Sequence, residues 1–170
     1  ADSIYIGEVI ASWASRYVEQ VNDSSFKSEN QVAASLDRDA AFTTQIVAGR
    51  HYFTADEPES AGGNDFGPTP YELLSSSLAA CTVMTIQMYA KRKQWNIENV
   101  ECHVNYDKQH AFDCENCELE TAKIDTFTRE IKLTGDLDEK QIKRILQIAD
   151  KCPVHKTLHS ENQVITKLIN

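Results

Sequence analysis

Apolar positions along this chain change their spacing several times, and each change marks an element. Near the start Ile6, Val9, Ile10, Trp13 and Tyr17 recur at helical spacing after Asp2 and Ser3, which predicts an amphipathic helix over residues 2–20. The polar stretch NDSSFKSEN, residues 22–30, reads as a linker, so this helix is expected to be an appendage (1–30) to a domain spanning 31–170. From Gln31 the pattern turns strand-like: QVAASL, FTTQIV and, after a turn at Ala48-Gly49, RHYFTA. The long loop DEPESAGGNDFGPTP follows, and loops of this kind in a compact domain are usually functional or mobile.

The stretch from Gly67 to Trp95 dominates what comes next. Thr69 is a good N-cap, Pro70 suits the first helical position, and Glu72 completes a capping box. No charge falls between Glu72 and Lys91, and the predicted helix is apolar almost all round, so it must be covered on most sides. Its uncharged run is about the lower length limit for a membrane span, but its serines and its cap favour a buried helix of a soluble domain.

Beyond Trp95, NVECHVNY (99–106) alternates, with Val100, Cys102, Val104 and Tyr106 on one face of a half-buried strand. A polar excursion, DKQHAFDCENCELETAK, separates it from a second strand at about Ile124–Leu133. Asp136 or Asp138 then caps a helix with Ile142, Ile145, Leu146 and Ala149 on its apolar face. Pro153 suits the start of a further short helix with Cys152 as its cap residue, and QVITKLI closes the chain as an alternating strand. The order is α+β. One long apolar helix is too much for one small sheet, so either the sheet curls around it or a second subunit covers it.

Composition narrows the partners. A net charge of −9 argues against nucleic acid or an anionic membrane surface. Five cysteines in 170 residues is an odd number and sparse for a secreted disulfide scaffold. With no signal-peptide pattern, a reducing cytoplasm is the expected compartment. The chain begins at Ala1 without Met and is expected to be a piece of a longer protein.

Candidate chemistry rests on thiols. Cys81, in the middle of the apolar helix, is either a small core residue or a nucleophile. Cys152 stands where a helix N-terminus favours thiolate, with His155 and Lys156 close in sequence. Two such thiols suit peroxide chemistry, in which one is oxidised to a sulfenic acid and the other condenses with it to a disulfide. Arg16, Arg38 and Arg50 are candidate partners for a thiolate, Arg50 first because it opens a strand leading toward the helix. His110, Cys114 and Cys117 form H-x3-C-x2-C; with His103 they are a candidate zinc set, against the alternatives of a redox pair or an ordinary polar loop.

The stretches GGNDFGPTPYELLSSSLAACTVMTIQMYAKRK and ADKCPVHKTL resemble the OsmC/Ohr family of osmotically inducible and organic-hydroperoxide-resistance proteins, over about Gln31–Asn170. ASWASRYVE, DEP, HAFDC and CPVHKTL resemble a subgroup in which an α/β-hydrolase precedes the OsmC-like domain. The resemblance implies a long central helix wrapped by antiparallel sheet in an intertwined homodimer. It also implies a thiol-dependent peroxidase of the oxidative stress response, with no cofactor. Organic hydroperoxide is its substrate and a dithiol its reductant. Cys81 matches the attacking thiol and Cys152 the resolving thiol; an Arg, here taken as Arg50 with Arg38 second, supports the thiolate. In the best-known members a Glu that pairs with the Arg opens the helix; Tyr71 falls at that position and Glu72 one residue later. The alternatives are a non-enzymatic dimerisation module or a zinc-binding one.

Overall fold

The computed structural model describes residues 31–110 and 123–169. They fall into two compact units that meet in sequence at Thr69 and Pro70. The predicted helix at 2–20 lies outside the described residues, and the boundary expected at residue 30 borders them.

The first unit is an antiparallel meander of β1 (Val32–Ser35), β2 (Thr44–Ala48) and β3 (His51–Ala55). β2 and β3 join through Gly49-Arg50, where Gly49 takes a left-handed φ of 60° that suits a tight hairpin turn. The predicted long loop is organised by Asp56, whose side chain is buried. Its carboxylate accepts the Thr43 hydroxyl at 2.7 Å, the Glu57 N–H at 2.8 Å and the Phe66 N–H at 3.4 Å. Burial alone would raise its pKa, but these donors outweigh burial and hold it below the usual value. The loop closes back on the sheet so tightly that a Cβ on Gly67 would run into the Thr54 carbonyl.

The second unit is built on the helix α1 (Pro70–Lys93). It ends where Gln94 turns left-handed at φ 57° and the Trp95 N–H returns to the Ala90 carbonyl, with Lys91, Arg92 and Lys93 at its negative end. The chain then enters the long antiparallel hairpin β4 (Asn96–His110) and β5 (Lys123–Asp136). Both strands run further than the sequence pattern predicted, and Asp107–His110 extend β4 instead of starting a loop. Helix α2 (Glu139–Ala149) follows, its Asp138 cap and Gln141 forming a reciprocal capping box, and then the short α3 (Pro153–Leu158).

The core sits between α1, α2 and one face of the hairpin. Ile86, Ile145 and Ala149 form its centre, with Trp95, Ile97, Val100, Ile131, Leu133 and Leu137 packed around them. Along α1 the buried residues are Leu78, Thr82, Ile86 and Ala90, one stripe at four-residue spacing. The opposite side is open among the described residues: Met84 is 67% and Met88 73% exposed. By length and composition α1 also passes as a membrane span, a test that the core helix of a soluble protein passes too.

One prediction fails. QVITKLI takes no regular structure, and Val164, Ile165, Leu168 and Ile169 are exposed. A strand needs a neighbour for its N–H and C=O groups, and among the described residues this segment pairs with none.

Candidate active site

Two separate devices bring the thiols together. The four-residue stripe of α1 that packs into the core fixes the direction of Thr82, and Cys81 and Thr85 stand beside it. The turn from α2 into α3 then delivers Cys152, which precedes Pro153 and is the N-cap residue of α3. Cys81 is half-buried and Cys152 fully buried.

The two thiols are close enough that each shifts the ionisation of the other. Burial opposes ionisation of both. At Cys152 it is outweighed by the neighbouring Cys81 thiol, the backbone N–H groups of His155 and Val154, and the Thr82 hydroxyl, so its pKa falls below the usual thiol value. At Cys81 burial and the neighbouring Cys152 push the pKa up, and the Val154 N–H and the Thr85 hydroxyl offset only part of that. Ionisation is therefore easier at Cys152 than at Cys81, and Cys81 has the better access to solvent. His155 is held below its usual pKa, by burial first and then by the charge of Arg129, which favours the neutral ring.

Sequence reasoning missed the groups behind this pair. Arg129, on β5, donates from Nη1 to the Thr82 hydroxyl and to the Ala149 carbonyl, both at 3.1 Å, and from Nη2 to Asp150 at 2.6 Å. Asp150 is the C-cap residue of α2, so one guanidinium ties β5, α1 and α2 around the thiols. Cys102, opposite Ile131 on the hairpin, has its pKa raised by burial, which nearby Arg129 and Thr82 offset only in part. Alternation had put Cys102 on the buried face of its strand, but no local signal linked it or Arg129 to the thiol pair.

The family described as OsmC-like protein matches residues 62–167, which include α1 with Cys81 and α3 with Cys152. The chain belongs to the OsmC-like family. Its fold recurs in an OsmC-like protein from Mycoplasma pneumoniae, at 20% identity and a TM-score of 0.60 over 79% of this chain and 89% of that one. It recurs in an OsmC-like protein from Vibrio cholerae, at 11% identity and a TM-score of 0.59 over 79% and 96%. It is similar, too, to the organic hydroperoxide resistance protein OhrB of Bacillus subtilis, at 22% identity and a TM-score of 0.50 over 74% and 87%. No curated protein matches the chain.

Against the OsmC-like expectations, the structure brings Cys81 and Cys152 together but does not add Glu72 within the same chain. Glu72 is in the first turn of α1, nine residues before Cys81, which puts it about 14 Å along the axis and roughly half a turn round. Tyr71 lies flat on Tyr106, ring centroids 4.2 Å apart, and Tyr106 also donates to Asp125 at 2.6 Å and packs on Phe127. Arg50 is exposed at the β2–β3 turn and Arg38 is exposed after β1, both in the first unit. The candidate zinc set at His110, Cys114 and Cys117 lies outside the described side chains, and His103 stands 3.5 Å from Glu101. Among the described residues no group of three His, Cys, Asp or Glu is placed to hold a metal.

Proposed function

We propose that this OsmC-like domain is a thiol peroxidase that reduces organic hydroperoxides, with Cys81 attacking and Cys152 resolving. The observation that carries the reading is the closeness of the two thiols, each of which shifts the other's ionisation where the helix of Cys81 packs on the short helix that Cys152 begins. Cys152, as thiolate, takes the Cys81 proton. The Cys81 thiolate then attacks the terminal oxygen of the hydroperoxide, the O–O bond breaks, and the alkoxide leaves and is protonated to the alcohol. Cys81 is now a sulfenic acid. Cys152 attacks its sulfur, the hydroxyl departs with the Cys152 proton as water, and a disulfide remains, which an external dithiol reduces. A half-buried Cys81 beside a buried Cys152 fits this division of labour, since the attacking thiol must meet substrate and the resolving thiol need not.

The working unit is a homodimer. The uncovered side of α1, with Met84 and Met88, and the apolar closing segment, with Val164, Ile165, Leu168 and Ile169, are the surfaces a second copy would cover. Dimerisation is also the route by which a partner's Arg50 or Arg38 would support the Cys81 thiolate. The compartment is the cytoplasm, where dithiol reductants are available.

The test is consumption of an alkyl hydroperoxide with a dithiol as reductant. Wild type turns over, C81S does not, and C152S stops after oxidation of Cys81 to the sulfenic acid or beyond. Full activity in C81S overturns the assignment. One observation favours a second reading. Tyr71, where the resemblance places a carboxylate, is engaged with Tyr106. A domain without that carboxylate would serve as a dimerisation module, assembling an α/β-hydrolase portion to which the residues before 31 belong. A wild-type protein that is dimeric yet consumes no peroxide would select that reading.

A further inference from the structure

Arg129 is a charge on an apolar stretch of the hairpin. Alternate residues of a strand share a face, so it stands with Phe127, Ile131 and Leu133 on the side that packs on α1. Its side chain is only 13% exposed. A guanidinium taken that far out of water needs acceptors to replace its lost hydration. Any carbonyl or carboxylate would serve that end, but the ones it has stand beside the two thiols. Thr82, whose hydroxyl accepts from Nη1 at 3.1 Å, follows Cys81 in α1. The Ala149 carbonyl accepts from Nη1 at 3.1 Å and also from the Cys152 N–H at 3.2 Å. The Cys152 carbonyl in turn accepts the Lys156 N–H at 3.1 Å, so both peptide groups of Cys152 are tied. Asp150, 2.6 Å from Nη2, holds the other arm of the fork. One nitrogen thus reaches from the residue next to Cys81 to the oxygen that holds Cys152.

We propose that Arg129 is a positioning residue for disulfide formation: acting through Thr82 and Ala149, it fixes the α2–α3 turn against α1 and so aligns Cys152 with Cys81. Its place in a catalytic cycle rests on the peroxidase reading, whereas the pairing of the two thiols does not. Within the cycle the step concerned is the second. The Cys152 sulfur attacks the sulfenic sulfur of Cys81, the S–S bond forms, the S–O bond breaks, and the hydroxyl leaves with the Cys152 proton as water. Joining two sulfurs has strict geometry, with Cα atoms about 4.4–6.8 Å apart and a Cβ–S–S–Cβ dihedral of about 90°. A misplacement of about 1 Å can cost about a hundredfold in rate. The first step makes no such demand on Cys152, because Cys81 meets a diffusible peroxide.

Charge and position are separable at this residue. Lysine keeps the positive charge but carries one nitrogen, which cannot reproduce a planar fork of two nitrogens on three acceptors. A role through charge alone survives R129K, and a role through position does not.

The first measurement uses no peroxide. The full chain is equilibrated with mixtures of reduced and oxidised glutathione, and the Cys81–Cys152 bond is quantified by non-reducing peptide mapping. R129K is expected to lower the equilibrium constant for that bond about tenfold, a shift of about 30 mV. The second measurement uses one equivalent of tert-butyl hydroperoxide. In R129K, dimedone should trap the Cys81 sulfenic acid as fast as in wild type, while the disulfide forms about tenfold more slowly. Excess peroxide should then drive Cys81 on to sulfinic acid. D150A removes one acceptor at an exposed position and should move both readouts the same way by a smaller factor. D150A decides the matter if R129K lacks native circular dichroism. The proposal is overturned if the glutathione equilibrium of the deciding variant is that of wild type. It is likewise overturned if sulfenic acid and disulfide formation slow by the same factor, as a general loosening of the scaffold would produce. A shifted glutathione equilibrium in a protein whose wild type ignores peroxide keeps Arg129 in its role and removes the peroxidase reading.

Discussion

Replacing Thr82 with Val tests the centre of the thiol cluster. Valine keeps the shape of threonine but not its hydroxyl. Thr82 is fully buried, so no water takes over the lost hydrogen bonds. Arg129 loses one of three acceptors and keeps the Ala149 carbonyl and Asp150. Hydrogen bonds to charged groups are worth about 1.5–3 kcal/mol, and with two acceptors retained the loss belongs at the lower end, about 1.5 kcal/mol. The same hydroxyl is among the groups that hold the Cys152 pKa down against burial, so its loss moves the Cys152 titration upward. Urea unfolding measures the first effect, and the pH dependence of thiolate ultraviolet absorbance the second. T82S, which keeps the hydroxyl, should restore the titration. If T82V unfolds within about 0.5 kcal/mol of wild type, as an inconsequential surface change would, and its thiolate titration is unmoved, the reasoning is refuted.

Two further outcomes follow from other parts of the molecule. Asp56 has a folded pKa below its ordinary 3.8, so its stabilising effect is complete above that value and is lost as pH falls through the folded one. Hydrogen exchange at the Glu57 and Phe66 amides should accelerate over that acid range, and D56N should show the same acceleration at neutral pH; protection that persists in both cases would place those hydrogen bonds elsewhere. Replacing both Met84 and Met88 with Glu puts charge on the uncovered side of α1, where burial of each methionine would contribute about 1.5–3 kcal/mol and a two-fold interface would use each twice. Sedimentation equilibrium should show a dimer becoming a monomer, and an unchanged mass would remove this face from the interface.

Much of the fold was legible in the sequence because its signals are local. Pro70 and the uncharged run after it mark the start and the course of α1, and the alternation of Val100, Cys102, Val104 and Tyr106 marks both β4 and its buried face. Asp138 and Pro153 announce α2 and α3 through capping chemistry that acts within a few residues. The motif around Cys81 and the CPVH stretch identified both candidate thiols before any contact was known. What the sequence did not hold is distance. Cys81 and Cys152 meet because two elements far apart in the chain pack on one another, and chain spacing carries no record of that. Arg129 looks like any strand arginine until the hairpin register turns it toward Thr82. The closing segment shows the converse: QVITKLI has the alternation of a strand, but a strand is a paired object, and within the described chain its partner is missing. Local periodicity and capping determined the elements, and tertiary packing decided which side chains share a site, because hydrogen bonds and charges act through space and not along the chain.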